Sequence, residues 1–205
     1  MWIDQVRQFF KLTPLQLIAL TARAEAGIEG RNGMQAVINV IHNRRLHPLS
    51  RFADSSLIEG SSDILDETQS PYHAIILGKR QFSCFLSGYN NIVSQYTAET
   101  FEGYARNNSM LKTAVELCES LRTGKLVDIT GGADHYYAVY IKRPDWTSGM
   151  IYRTRIGLHE FWSEPPHYWQ SPQVYHPEKD WAGVGATPPG ALPVVGIGGV
   201  VLTQL

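Results

Sequence analysis

TPLQLIALTARAEAGIEGRNGMQAVINVIHNRRLHP, residues 13–48, reads as two helices and the hinge between them. Thr13 is suited to the N-cap, Pro14 to the first helical position, and Gln16 stands three residues after the cap, where its side chain can reach back to the cap amide. This helix is expected to run to about Glu25 and to stop at Gly27, since a residue without Cβ ends helices readily. Asn32 and Gly33 are expected to open the second helix. There Met34, Val37, Ile38 and Ile41 recur at i, i+3, i+4 and i+7, which predicts one buried face. Pro48 forbids much extension. Two carboxylates, Glu25 and Glu29, fall at the hinge.

Outward from this pair, residues 50–70 are rich in Ser, Asp and Glu and read as an exposed loop. A short helix is predicted from Pro71 to Leu77, and two more over 97–106 and 109–122. In the last of these Ser109 is the expected cap, Leu111, Ala114, Val115, Cys118 and Leu121 form the apolar stripe, and Gly124 ends it. His135–Ile141 is aromatic and β-branched, and Ile151–Ile156 alternates in part; both predict strands. Seven of the eleven prolines lie beyond Glu164, and the C-terminal stretch is rich in glycine. The expected organisation is α+β: a mostly helical domain with a small β-sheet over 1–163, then an irregular Pro/Gly-rich tail over 164–205. Tyr168, Trp169, Tyr175 and Trp181 in the tail are expected to pack onto the domain rather than extend a ligand platform.

Composition narrows the function classes. Apolar residues make up 43% of 205, an ordinary globular proportion, and 18 basic residues face 19 acidic ones. Such a balance gives no nucleic-acid footprint and no polybasic membrane patch. Two cysteines, Cys84 and Cys118, form neither a disulfide framework nor a zinc site alone, and both read as small apolar fillers. The first residues, MWIDQVRQFFKLTP, lack the uninterrupted apolar stretch and small-residue cleavage site of a signal peptide. No stretch is long enough to span a membrane. The expectation is a chain made in the cytoplasm without a transmembrane segment.

Three clusters place polar side chains beside glycine or small residues at the ends of apolar segments, as loops lining a cleft do. They are Ala24-Glu25-Ala26-Gly27 with Glu29, Gln81-Phe82-Ser83, and Thr130-Gly131-Gly132-Ala133-Asp134-His135-Tyr136. Glu25 is the most informative. A carboxylate in the last turn of an apolar helix faces the negative end of the helix dipole, and partial burial acts in the same sense. Both favour the protonated form, which cleavage of a glycosidic bond requires for its leaving oxygen. Considered locally, a solvated glutamate at a helix end is the alternative.

The order of these clusters resembles the SleB-type cell wall hydrolase family. The family pattern of E-A-x-x-E, an apolar helix ending N-R, Q-F-S, T-G-G-A with aromatics, a Trp and I-G-x-H-x-F is met by Glu25-Ala26 with Glu29, Asn43-Arg44, Gln81-Phe82-Ser83, Thr130-Gly131-Gly132-Ala133 with His135 and Tyr136, Trp146, and Ile156-Gly157-Leu158-His159-Glu160-Phe161. The resemblance covers about residues 15–162. It implies a lysozyme/lytic-transglycosylase-like fold, cleavage of peptidoglycan glycan strands, and Glu25 as the catalytic carboxylate. Gly27-Ile28 replaces the usual Arg-Gly after the Glu-Ala pair, residues 46–70 look longer than typical, and the tail has no counterpart.

The resemblance implies cleavage of the β-1,4 bond between MurNAc and GlcNAc, with no cofactor. A lytic transglycosylase needs one acid/base, because the substrate's own C6 hydroxyl closes a 1,6-anhydro ring. A hydrolytic muramidase needs a second carboxylate, for which Glu29 is the candidate, although Gly27 separates it from Glu25 and a role supporting the next helix is the alternative. Glu29, Gln81, Phe82, Ser83, Thr130, Gly131, Gly132, His135 and Tyr136 are the candidate substrate-binding residues, with hydroxyls of Ser83, Thr130 and Tyr136 for sugar and acetamide groups. Trp146 is a candidate sugar-stacking residue, with a core position equally open. Arg44 is expected to pair with a carboxylate. His135 and His159 lack a third ligand at metal-site spacing, so no metal is expected. A glycan-binding module without chemistry is the alternative from another class. A wall substrate without a signal peptide fits a phage-type endolysin, or a delivered antibacterial effector with an immunity protein as partner.

Overall fold

The computed structural model describes residues 5–47, 52–53, 70–86, 92–165 and 181. Helix α1 (Pro14–Ala26) starts as its sequence dictates: the Gln16 amide donates to the Thr13 hydroxyl, and the Gln16 side chain accepts from the Thr13 amide. It ends at Ala26 with Gly27 as C-cap, as expected. Gly27 keeps right-handed helical angles and begins a 3-10 turn, Gly27–Glu29. The residue with positive φ is Gly30 (69°), so the change of direction occurs three residues later. Helix α2 (Gly30–Leu46) follows directly, and opens before Asn32.

Helix α2 was expected to bury one face and buries more. Met34, Val37, Ile38 and Ile41 join the main core, while Ala36 and Val40 form a second cluster with Ala133 and Phe161 of the sheet side. The helix is a wall between two cores because small or branched apolar residues stand at i and i+4 on its second face. Helices α3 (Pro71–Ile76), α4 (Phe101–Asn107) and α5 (Ser109–Arg122) complete the helical part. Asn108, not Ser109, caps α5, its side chain accepting from the Leu111 amide. The stripe of α5 is buried against α1 and α2, with Cys118 fully inside. No helix of the described residues is long and apolar enough to cross a membrane.

The sheet has three antiparallel strands in the order β1-β3-β2: β1 (His135–Ala138), β2 (Ile151–Ile156) and β3 (His159–Ser163). Strand β1 is shorter than expected, because the Ile141 amide turns back onto the Ala138 carbonyl. Strand β3, which the alternation rule does not reveal, is the central one. Both its faces are covered: Phe161 lies in the second core, and Trp162 is flanked by Tyr152 and by the Arg143 guanidinium. Gly157 (φ 57°) makes the tight turn between β2 and β3.

Residues 50–70, expected to form an exposed loop, fall almost wholly outside the described residues, but Phe52 and Ala53 are buried and so is Ser70. Packing continues past Ser163 among the described residues. Glu164 is buried with its amide on the Asp134 carboxylate, and Trp181 enters the main core against Tyr72 at 5.4 Å between ring centroids. The remainder of 166–205 lies outside the described residues.

Candidate active site

Helix α1 delivers Glu25 to the hinge one residue before its end, half-buried. One carboxylate oxygen accepts from the Ser83 hydroxyl at 3.0 Å and from the Cys84 amide at 2.8 Å. The other accepts from the Tyr136 hydroxyl at 3.0 Å. The Ser83–Phe85 3-10 turn supplies the first two donors, and β1 supplies the third. Burial, with the adjacent Glu25 carboxylate, raises the Tyr136 phenol well above its usual range, so it remains a donor. Burial and Glu25 likewise push the Cys84 thiol up, which keeps it protonated. Ser83 is exposed, so the Glu25 cradle opens to solvent on that side.

The Gln81-Phe82-Ser83 cluster divides its work. Only Ser83 reaches Glu25. Gln81 accepts from Arg44 at 3.2 Å, and Phe82 is buried beneath the Arg44 guanidinium at 5.1 Å. Among the described residues Arg44 does not form the expected carboxylate pair: it donates to the Asp134 backbone carbonyl at 2.6 Å and lies against the Phe52 and Phe82 rings. Burial lowers its guanidinium pKa, while Tyr136, Asp134, Glu25 and Glu164 act the other way.

Thr130 is a structural residue rather than a sugar contact. It is fully buried, and its hydroxyl donates to Asp128 at 2.6 Å and accepts from the Ala133 amide. Asp128 also binds the Thr130 and Gly132 amides and the Asn43 side chain, so it holds the whole turn. Gly131 and Gly132 take positive φ (68° and 83°), and an exposed Gly131 leaves open space beside the turn. Asp128 was not singled out from the sequence, although an Asp two residues before a Thr-Gly-Gly is the pattern of an Asx turn.

His135 and Tyr136 point to opposite sides of β1, as neighbours in a strand must. His135 meets the buried Asp134 carboxylate at 2.6 Å, and His47 from the end of α2 meets it at 3.2 Å. Burial pushes Asp134 up, but these histidines and the Glu164 amide outweigh it and hold it at about 2. Trp146 is not a core residue. It is 38% exposed and leans on His135 and Tyr137, on the side of β1 away from Tyr136 and Glu25.

Glu29 is not presented to solvent or substrate either: its side chain is 6% exposed. One of its oxygens lies 2.6 Å from His159 Nδ1 and the other accepts from the Leu158 amide at 3.1 Å. Both of its oxygens are therefore engaged by β3 and the turn before it. Among the described residues, no group of three or more His, Cys, Asp or Glu side chains is arranged to hold a metal ion.

A family profile described as Cell Wall Hydrolase matches residues 28–162. The match begins three residues after Glu25, so the assignment of that residue rests on the geometry above. No curated protein matches the chain. The chain is similar to the catalytic domain of the Bacillus cereus SleB protein at 19% identity and a TM-score of 0.46, over 73% of this chain and 89% of that one. It is also similar to the catalytic domain of the germination-specific lytic transglycosylase SleB from Bacillus anthracis, at 19% identity and a TM-score of 0.45, over 73% and 93%.

Proposed function

The chain belongs to the cell wall hydrolase family, and we propose that it cleaves the β-1,4 MurNAc–GlcNAc bond of peptidoglycan as a lytic transglycosylase with Glu25 as its acid/base. The observation that carries this reading is that, among the described residues, Glu25 is the one carboxylate held at the centre of the cradle. The other carboxylates of the hinge and the 128–134 turn are committed elsewhere: Glu29 to His159, Asp128 to its turn, Asp134 to two histidines. A hydrolytic muramidase would need a second carboxylate to activate water.

Glu25 donates its proton to the glycosidic oxygen as the bond to the anomeric carbon breaks. It then accepts the proton of the muramoyl C6 hydroxyl, whose oxygen closes on that carbon to give the 1,6-anhydro ring. The cradle suits both states. The Ser83 and Tyr136 hydroxyls donate to the ionised carboxylate, and Tyr136, on the oxygen away from Ser83, has lone pairs to accept when that oxygen carries the proton. The Cys84 amide, which only donates, fixes one oxygen and leaves the other for the proton.

Glu25→Gln tests the assignment, by turbidity loss on purified peptidoglycan with circular dichroism as folding control. Activity near that of wild type overturns it. We place the action at the cell wall, after release as a phage-type endolysin or after delivery as an antibacterial effector countered by an immunity protein. The flanking genes decide between these two.

A further inference from the structure

Glu29 and His159 are a buried carboxylate–imidazole pair, 2.6 Å apart, that the proposed chemistry leaves unused. Seating it takes a specific set of residues. A Cβ on Gly157 would come to 2.1 Å from the Glu29 carboxylate, and one on Gly33 to 2.5 Å from the Glu29 Cβ. Both positions must be glycine for Glu29 to lie where it does, and Gly157 must also hold φ at 57°. What this pair does is local. The His159 ring meets the Tyr136 ring edge-on at 5.3 Å, and Tyr136 donates to Glu25.

Glu25 and Glu29 bracket the Gly27–Glu29 turn, and each is tied to the sheet, Glu25 to β1 and Glu29 to β3 and the Gly157 turn. The two ties close a ring through β1 and β3, which pair at Ala138 and His159. We propose that Glu29 and His159 are positioning residues that hold the Tyr136 hydroxyl on Glu25, and so orient the acid without touching substrate. The proposal rests on the reading of Glu25 as acid/base.

A double-mutant cycle on the full chain tests it, with kcat and KM measured on soluble peptidoglycan fragments. Glu29→Gln is expected to lower kcat about tenfold with KM within about twofold of wild type. Tyr136→Phe is expected to lower kcat by at least as much. In the Tyr136→Phe background Glu29→Gln should then have almost no further effect, because the hydroxyl it positions is gone. A loss that merely followed the folded fraction would persist in that background. Additive losses, or a change confined to KM, overturn the proposal. His159→Gln runs the same cycle if Glu29→Gln folds poorly. If neither variant folds, the pair is a folding element and the proposal fails. Glu25→Gln measured alongside separates the two readings: if it stays active the acid assignment falls too, whereas an inactive Glu25→Gln with additive losses overturns the positioning role alone.

Discussion

The Tyr136 hydroxyl donates to Glu25 at 3.0 Å across 111 residues of sequence, and this contact joins the helical part of the molecule to its sheet. Helix α1 alone would leave Glu25 as a carboxylate at a helix end. Strand β1 gives one of its oxygens a partner, and the Ser83–Phe85 turn gives partners to the other.

Glu25→Gln is expected to reduce glycan cleavage by at least about a hundredfold, the scale of a lost general acid. Ser83→Ala should cost far less, about three- to tenfold, because the Cys84 amide still holds the same oxygen. Initial rates on purified sacculi measure both. Equal losses would mean that Ser83 has a role beyond the cradle.

The product carries its own test. One acting carboxylate predicts muropeptides ending in 1,6-anhydro-muramic acid, one water lighter than hydrolysed ends. Mass spectrometry of the digest distinguishes them, and reducing ends throughout would mean that water, not the C6 hydroxyl, is the acceptor.

Two glycines of positive φ should respond unequally to alanine. Gly131→Ala meets open space and bears only the left-handed backbone cost of about 1 kcal/mol. Gly157→Ala bears that cost and also displaces Glu29, for a total of about 3 kcal/mol or more. Denaturant midpoints at neutral pH measure the difference.

His42 predicts an acid-side loss of stability. Burial, then Arg45, lower its pKa from 6.5 to about 4, with Asp128 opposing, and its ring nitrogen meets the Tyr72 hydroxyl at 2.9 Å. Between those two values the unfolded chain binds a proton that the folded chain does not. The contribution is therefore full above pH 6.5 and lost as pH falls to 4, amounting to about 3 kcal/mol at most. Thermal melts from pH 7 to 4 should show a shallower decline for His42→Gln than for wild type.

Trp181→Ala should destabilise by about 3 kcal/mol, since it removes a buried indole from the core beside Tyr72. Truncation after Ser163 removes that ring and also the Glu164 amide from Asp134, and should lower the melting temperature further. Differential scanning calorimetry of the two variants gives the order.

The sequence by itself determined the parts whose causes are local. The Thr13–Gln16 capping box and the apolar stripe of α5 act within a few residues, so α1 and α5 were legible. The place of Glu25 in the last turn of α1 was legible as well. Tertiary structure decided what each polar residue does, because that depends on partners far along the chain. Thr130 is buried by Asp128 and Ala133 under Asn43, whereas Ser83, equally polar in sequence, is left exposed beside Glu25. Glu29 was a candidate second acid until folding brought His159, 130 residues on, to within 2.6 Å of it. Strand β3 became central because both its faces found cover that no local pattern announces. A carboxylate's chemistry is set by what surrounds it in space, and only the folded chain supplies those neighbours.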